Sequence, residues 1–386
     1  METVIPGGIP TNEFLEFYWQ KKPCLLRRAF PEYQADFDKQ RLLETACLSQ
    51  VESRVVLEKD GDYPWQVLQG VFNIEDFEEL PLSHWSLLVQ NAEHYFQSAS
   101  SLLSKFNFIP NWRIDDLMIS YAPDAGSVGP HFDSYDVFLF QAKGQRKWSI
   151  NCKEYKDSDC IDGLDLRIIE DFQADEEYIL EPGDMLYLPP GTGHHGVAIG
   201  ESITCSIGFR APSNHELLAG FVDYVLQNQM EIRYSDPELR KTQYSGELRE
   251  VELQKIDSLF RSTLPEPDAL ADWFGRFISS NHEMELETEV KNGIDRQETI
   301  NLLKKEKKLC KPSELKAVFI RKKTDIVLYI CGKAFVLPGH YLQFVDDFSS
   351  KQTFPNPVYG TKNDHDQVLS LLHYLYCSEL IAPLLS

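Results

Sequence analysis

The chain has 386 residues, of which 42% are hydrophobic and 12% aromatic, and its formal net charge is −22. This is the composition of a globular protein long enough for two or three domains. The negative charge argues against direct binding to nucleic acid, which needs a basic surface, and favours a basic protein partner. Solubility alone explains an acidic surface equally well.

The eight cysteines are scattered, and no two of them have the Cys-x-x-Cys spacing of a zinc ribbon. This usage is typical of thiols in a reducing cytosol. The segment from Met1 to Gly8 lacks the basic start and apolar core of a signal peptide. No uncharged apolar run approaches the length that spans a membrane. We therefore expect a cytoplasmic protein with no membrane partner.

The hydrophobic pattern of the first half predicts a small helix followed by many short strands. A helix is expected from Thr11 to Gln20 and a strand from Cys24 to Leu26. Between Arg113 and Arg210, β-rich runs are divided by Gly and Pro, as in an antiparallel barrel or jelly roll. The predicted strands cover residues 114–121, 137–141, 147–151, 177–180, 185–188 and 202–209.

After residue 211 the apolar positions recur with helical spacing. Ser213 can cap one helix, Asp236-Pro237 is expected to open a second, and residues 269–279 form a third. A helical segment this apolar must bury its hydrophobic face, and a second copy of the chain is one option.

The last hundred residues predict a small domain of helices and hairpins. Residues 283–297 are polar and indicate a linker, and the lysines of 304–308 indicate a solvated helix face. Strands are expected at 318–320, 326–330 and 334–337, and a closing helix at 366–380. A winged helix fits this order, although the acidic balance argues against DNA binding. The predicted domains are residues 1–211, 212–289 and 290–386.

Three residues have the spacing of a metal site. His131 and Asp133 are two residues apart, so in an extended segment both side chains face the same way. His194 follows a Pro-Pro-Gly turn that can direct it back toward this pair. Two histidines and one carboxylate with open coordination positions are typical of non-haem iron(II), although zinc, manganese or nickel could occupy the same ligands. The alternative is a pair of hydrogen-bonded barrel histidines, but burying such a cluster without a task costs stability.

His195 competes with His194 for the third ligand position. Neighbouring residues of an extended segment point in opposite directions, so only one of the two can face inward. We choose His194.

Arg146 is the candidate anchor for a cosubstrate. The run 137–140 leads into an expected turn at Lys143-Gly144-Gln145, and the returning strand could place Arg146 behind the metal. A guanidinium there can bind the far carboxylate of a 2-oxo diacid through two hydrogen bonds. Ser120 could add a hydroxyl to this carboxylate. Lys147 is the alternative cation, and an exposed position of Arg146 is the alternative role.

The chain resembles the bacterial JmjC-type ribosomal oxygenases of the cupin superfamily, which use Fe(II) and 2-oxoglutarate. The resemblance covers most of residues 10–280 and is weaker in the last hundred residues. It rests on DDLMIS at 115–120, VGPHFDSYDVF at 128–138, EPGDMLYLPPG at 181–191, SIGFRAP at 206–212, YSDP at 234–237 and WFGRFIS at 273–279.

This resemblance implies a mainly β fold with additional helices. The catalytic domain would be a JmjC double-stranded β-helix, followed by a helical dimerisation domain and a C-terminal winged helix, in a homodimer. The activity implied is hydroxylation of an arginine at C3, in a protein of the large ribosomal subunit, by a dioxygenase that consumes O2.

The resemblance also implies a role for each candidate residue. His131, Asp133 and His194 would bind iron, Arg146 with Ser120 would bind 2-oxoglutarate, and Asp115 and Ser206 would orient the substrate side chain. Related animal enzymes hydroxylate histidine, so a histidyl hydroxylase is the nearest alternative. A histone demethylase is less favoured because no zinc or chromatin-reading motif is visible. A non-catalytic ribosome adaptor of the cupin and winged-helix type is the alternative from another class.

Overall fold

The computed structural model describes residues 4–58, 65–164, 166–228, 230–241, 243–264, 266–280, 295–360 and 366–384. The chain divides into two compact units, Met1–Ala211 and Pro212–Ser386. The boundary coincides with the start of the helical pattern after residue 211. A further division at residue 290 stays a prediction, because most of the expected linker lies outside the described residues.

The first unit is mainly β, as predicted. Its helices are α1 (Thr11–Phe17), α2 (Lys39–Ala46), α3 (Ile74–Glu78) and α4 (Gln97–Leu103). Its strands are β1 (Cys24–Leu26), β2 (Ser53–Glu58), β3 (Trp65–Gln69), β4 (Trp85–Val89), β5 (Ile114–Ala122), β6 (Asp136–Glu154), β7 (Glu176–Leu180), β8 (Met185–Leu188) and β9 (Thr192–Phe209).

These nine strands form one antiparallel sheet built around β6 and β9. The strand order is β1-β8-β6-β9-β5-β4-β2-β3, with β7 paired to β6. Side chains alternate along β6, so that Phe138 and Phe140 pack into the large core while Val137 and Leu139 face the other way. Burial of both faces explains why this part of the strand is a continuous apolar run.

The hairpin predicted at Lys143–Gln145 is wrong. Strand β6 continues through these residues, and its register with β9 shifts twice, between Gln141 and Lys143 and between Lys143 and Gln145. Gly144 has a φ of +65°, a conformation that favours glycine. Glycine in such a conformation serves a β-bulge as well as a turn, so the sequence alone does not separate the two.

The bulge decides which residues of β6 face the site. Before it, the odd-numbered residues Val137 and Leu139 line the cavity, and after it the even-numbered Arg146 and Trp148 do. In an uninterrupted strand the alternation would turn Arg146 away from Val137 and Leu139. The irregularity therefore brings the arginine into the site.

The structure also corrects the predicted start of β9 and the helix predicted at Asp236-Pro237. Strand β9 begins at Thr192, ten residues before the predicted start at 202, so His194 follows the Pro-Pro-Gly turn as expected but lies within the strand. Asp236-Pro237 opens a single turn, closed by the hydrogen bond from the Leu239 N–H to the Asp236 carbonyl, and no helix. Proline suits the second position of such a turn as well as the first turn of a helix.

The second unit joins helices to two small sheets. Its helices are α5 (Asn214–Asn228), α6 (Glu250–Ser262), α7 (Pro267–Ser279), α8 (Arg296–Leu303), α9 (Leu342–Ser350) and α10 (Asp366–Cys377). Its strands are β10 (Lys308–Cys310), β11 (Ala317–Arg321), β12 (Asp325–Ile330), β13 (Lys333–Pro338), β14 (Thr353–Pro355) and β15 (Ala382–Pro383). The predicted hairpin is the meander β11-β12-β13. Across the described part of the chain, no helix combines the length and apolar character needed to cross a membrane.

We predict that Gly144→Ala destabilises the protein more than Gly200→Ala. Both glycines have positive φ, but a Cβ at Gly144 would collide with the carbonyl oxygen of Glu201, whereas a Cβ at Gly200 meets no atom within 4 Å. The backbone strain costs about 1–2 kcal/mol at either site, and the collision adds about 1–3 kcal/mol at Gly144. Urea denaturation of the two variants measures the difference. Equal losses of unfolding free energy would show that the bulge accepts a side chain.

Candidate active site

His131, Asp133 and His194 form one cluster, in which the candidate ligand atoms all lie within 4.8 Å of one another. The backbone holds them there. The N–H of His131 donates to the carbonyl of His194 at 2.9 Å, and the N–H of His194 donates back at 2.8 Å. The N–H of Gly191 donates to the Asp133 carbonyl at 2.8 Å. The segment that carries His131 and Asp133 is thus paired with the beginning of β9.

Both histidines are oriented by carbonyl groups. Nδ1 of His131 lies 2.9 Å from the Gly129 carbonyl, and Nδ1 of His194 lies 3.0 Å from the Thr192 carbonyl. A carbonyl only accepts, so each Nδ1 carries the proton and each Nε2 keeps a free lone pair. Burial, followed by the nearby His131, lowers the pKa of His194 to about 4, so its imidazole is neutral at physiological pH.

This donor set fits a divalent metal. Two neutral imidazoles and one carboxylate, with no thiolate, are the ligands of a non-haem iron(II) site. Nε2 of His194 is 3.6 Å from Oδ2 of Asp133, close enough for one ion to contact both atoms. The arrangement of hydrogen bonds to the remote ring nitrogens is the one found behind metal-ligating histidines.

His195 lies outside the cluster. It follows His194 on β9 and faces the opposite side of the strand, where its ring packs edge-on against Phe172 at 6.3 Å between centroids. His194 is 2% exposed and faces inward. The alternation of side chains along the strand is the physical reason for this difference.

Arg146 is a buried cation beside the metal-ligand cluster. It is 3% exposed, and its guanidinium donates to the hydroxyls of Ser120 at 3.1 Å and Thr204 at 3.4 Å and to the Gly126 carbonyl at 3.5 Å. Burial lowers its pKa to about 10, so the group stays protonated at neutral pH. Within the described residues no carboxylate pairs with it. Since an unpaired buried charge is costly, the site is suited to an anionic ligand.

The cluster and Arg146 line the same cavity, which has a volume of about 500 Å³. Trp148 contacts both groups: its ring centroid is 5.8 Å from that of His194 and 5.4 Å from Cζ of Arg146. Gly196 lies opposite Trp148 in the strand pairing, and any Cβ there would overlap the indole ring. The sequence analysis missed Trp148, although its position two residues after Arg146 on one strand was a signal.

Asp116 takes the place expected for Asp115. Asp115 is exposed and is absent from the cavity lining, whereas Asp116 and Ser206 both line the cavity. The pairing of β5 with β9 is irregular between Ile114 and Leu117. Alternate residues from Asp116 to Ser120 face the cavity. Because Ser120 was already a predicted site residue, counting back by two along the strand could have identified Asp116.

We predict that His194→Ala abolishes tight binding of cobalt(II) and that His195→Ala leaves it unchanged. Loss of an inward-facing ligand should weaken metal binding by more than the roughly 10- to 100-fold that is typical when a group hydrogen-bonded to a metal ligand is removed. Isothermal titration calorimetry of both variants provides the comparison. The reverse pattern would assign the third ligand to His195.

Comparison with known proteins agrees with this geometry. A family model for the JmjC domain matches residues 101–217. The ribosomal protein uL16 3-hydroxylase of Escherichia coli (strain K12) is 40% identical over 276 residues, which are 71% of this chain and 73% of that protein. The structure of YcfD, a ribosomal oxygenase from Escherichia coli, has a TM-score of 0.81 at 32% identity and covers 99% of both chains.

A further structure of YcfD contains cobalt and 2-oxoglutarate. It has a TM-score of 0.78 and 33% identity, and the match covers 96% of this chain and 97% of that one. These similarities confirm the predicted JmjC fold. The chain belongs to the JmjC-domain family of ribosomal oxygenases.

Proposed function

We propose that this chain hydroxylates C3 of an arginine in a large-subunit ribosomal protein, as an iron(II)- and 2-oxoglutarate-dependent dioxygenase. The observation that carries the proposal is the unpaired, buried guanidinium of Arg146, in the same cavity as the His131, Asp133 and His194 cluster. A relative named for 3-hydroxylation of uL16, and a structural relative in complex with cobalt and 2-oxoglutarate, support it.

His131, Asp133 and His194 would hold the iron. When bound, iron(II) supplies the activation of O2 and the transfer of one oxygen atom to a carbon–hydrogen bond. The carbonyls of Gly129 and Thr192 engage Nδ1 of each ring, which leaves Nε2 of each ring as the nitrogen that can bind the metal. The protein therefore prepares the site before the metal arrives.

Arg146 binds the remote carboxylate of 2-oxoglutarate, with hydroxyls from Ser120 and Thr204 beside it. A guanidinium and a carboxylate form charge-assisted hydrogen bonds that are stronger in a buried site than in water. The Trp148 ring contacts both Arg146 and His194 and lines the cavity that the cosubstrate would occupy.

Asp116 and Ser206 receive the substrate side chain. A carboxylate accepts two parallel hydrogen bonds from a guanidinium, which favours arginine as the target. Tyr135 also lines this part of the cavity, and its pKa is raised chiefly by the charge of Asp133, then by burial and by Asp116. Its hydroxyl therefore stays protonated and can donate. The acidic chain suits a basic ribosomal protein, and the cytoplasm is where the two would meet.

A homodimer is the second part of the proposal. None of the residues of α5 or α6 is buried. Leu226 on α5 is 75% exposed and Phe260 on α6 is 67% exposed, and other large apolar side chains of both helices are exposed too. Apolar surface on this scale marks an interface, and a second copy of the same helices provides a matching surface.

For the activity, we predict that a ribosomal protein uL16 incubated with the protein, iron(II), 2-oxoglutarate and O2 gains one oxygen atom on an arginine. Asp116→Asn should lower kcat/KM for this substrate by about 10- to 100-fold, because the amide loses the negative charge and the second acceptor that pair with a guanidinium. Asp115→Asn is the matched control and should retain full activity. Intact-mass and fragmentation mass spectrometry give the readout.

Two results would contradict this assignment. If no succinate forms and no mass changes while the metal is bound, the protein is not an oxygenase of this substrate. If the oxygen is found on a histidine, the histidyl hydroxylase is the correct alternative.

For the dimer, we predict that Phe260→Glu converts a two-chain particle into single chains, because a carboxylate cannot be buried in an apolar interface. Gln227→Glu, an exposed change on α5, is the control for added charge. Light scattering coupled to size-exclusion chromatography measures the molar mass. A single-chain mass for the unchanged protein would exclude the homodimer.

A further inference from the structure

Buried polar atoms without a hydrogen-bond partner are concentrated in the active-site cavity. Four side-chain atoms of this kind belong to residues that line this one cavity. These four are Nε of Arg54, Oε1 of Gln90, Nε of Arg146 and Nε1 of Trp148. Since buried polar atoms in proteins are nearly always paired, such a concentration indicates ligands that complete them.

The four atoms form two separate groups. Arg146 and Trp148 lie on β6 beside His194 and belong to the proposed 2-oxoglutarate site. Arg54 lies on β2, and Gln90 directly follows β4. Across the sheet, Arg54 pairs with Leu88, and Leu88 pairs with Ser120 on β5. Arg54 and Gln90 therefore lie on the side of Ser120 away from Arg146, and the mechanism above gives them no role.

This second group adjoins the place proposed for the substrate side chain. Arg54 lines the same cavity as Asp116, Ser206 and Tyr135, and Val89, the residue before Gln90, pairs with Ile119 on β5, between Met118 and Ser120. Gln90 is two residues after Leu88, which also lines the cavity. Both side chains line the cavity itself.

The chemistry of the pair limits what it can bind. Arg54 offers only donors, and the unpaired atom of Gln90 is an acceptor. A carboxylate or phosphate would satisfy Arg54 and leave Gln90 unpaired, while a substrate guanidinium would satisfy Gln90 and repel Arg54. A peptide group carries one acceptor and one donor and satisfies both.

We propose that Arg54 and Gln90 bind a main-chain peptide group of the protein substrate next to its target residue. The guanidinium of Arg54 donates to the peptide carbonyl, and Oε1 of Gln90 accepts from a peptide N–H. The proposal rests on the function proposed above and adds a specificity rule to it. A proline at the position whose N–H meets Gln90 would be rejected, because proline has no N–H to donate.

The test uses fluorescently labelled peptides of the target ribosomal protein in which one amide at a time is replaced by an ester, on either side of the target residue. Binding to the metal-free protein is followed by fluorescence anisotropy. One ester should weaken binding to the unchanged protein by about tenfold, the usual effect of one buried hydrogen bond. The same ester should cost nothing further in Gln90→Leu.

Arg54→Met should weaken binding of the all-amide peptide by about tenfold. The affinity for 2-oxoglutarate and its turnover without peptide should stay unchanged in both variants, which also shows that they fold. Lys105→Met removes an exposed cation elsewhere and is the control for charge.

The outcomes separate this inference from the proposed function. If the unchanged protein hydroxylates the peptide and both variants bind it equally well, the inference alone is overturned. A loss of 2-oxoglutarate affinity in Arg54→Met would assign the pair to the cosubstrate and overturn it too. If the unchanged protein neither binds nor hydroxylates the peptide, the proposed function fails, and this inference fails with it.

Discussion

A buried guanidinium without a carboxylate partner is the constraint on which the site depends. Arg146 is 3% exposed and hydrogen-bonds only to neutral groups among the described residues. Burial of an unpaired ion costs several kcal/mol, so the fold gains from a ligand that brings the missing negative charge. The cavity leads from this cation to three metal-ligating side chains. A molecule with a carboxylate at one end and a chelating group at the other satisfies both.

An irregularity in β6 places Arg146 inside the cavity. The bulge around Gly144 reverses the alternation of β6, so that Arg146 and Trp148 face the cavity. Two residues later, Ile150 pairs with His194, so the cation and the metal ligand are held by the same strand pair. A strand pair is a rigid support, which suits residues that must keep a fixed separation. The residues proposed to receive the substrate come from β5 and from the opposite end of β9.

Regular features of this site could be predicted from the sequence, and irregular ones could not. The bounds of β8 follow from the turn residues around it, and the inward direction of His194 follows from alternation. The bulge was predicted as a turn, because a glycine at positive φ serves either structure. The choice between Asp115 and Asp116 depended on one residue of register, which alternation counted back from Ser120 would have given.

The most direct measurement is the unfolding free energy of Arg146→Met, with and without 2-oxoglutarate, in the presence of manganese(II). If Arg146 is an unpaired charge that is kept for a ligand, the ligand-free variant should be at least as stable as the unchanged protein. It should also lose the stabilisation that 2-oxoglutarate gives. A ligand-free variant that is several kcal/mol less stable, yet is still stabilised by 2-oxoglutarate, would contradict this account.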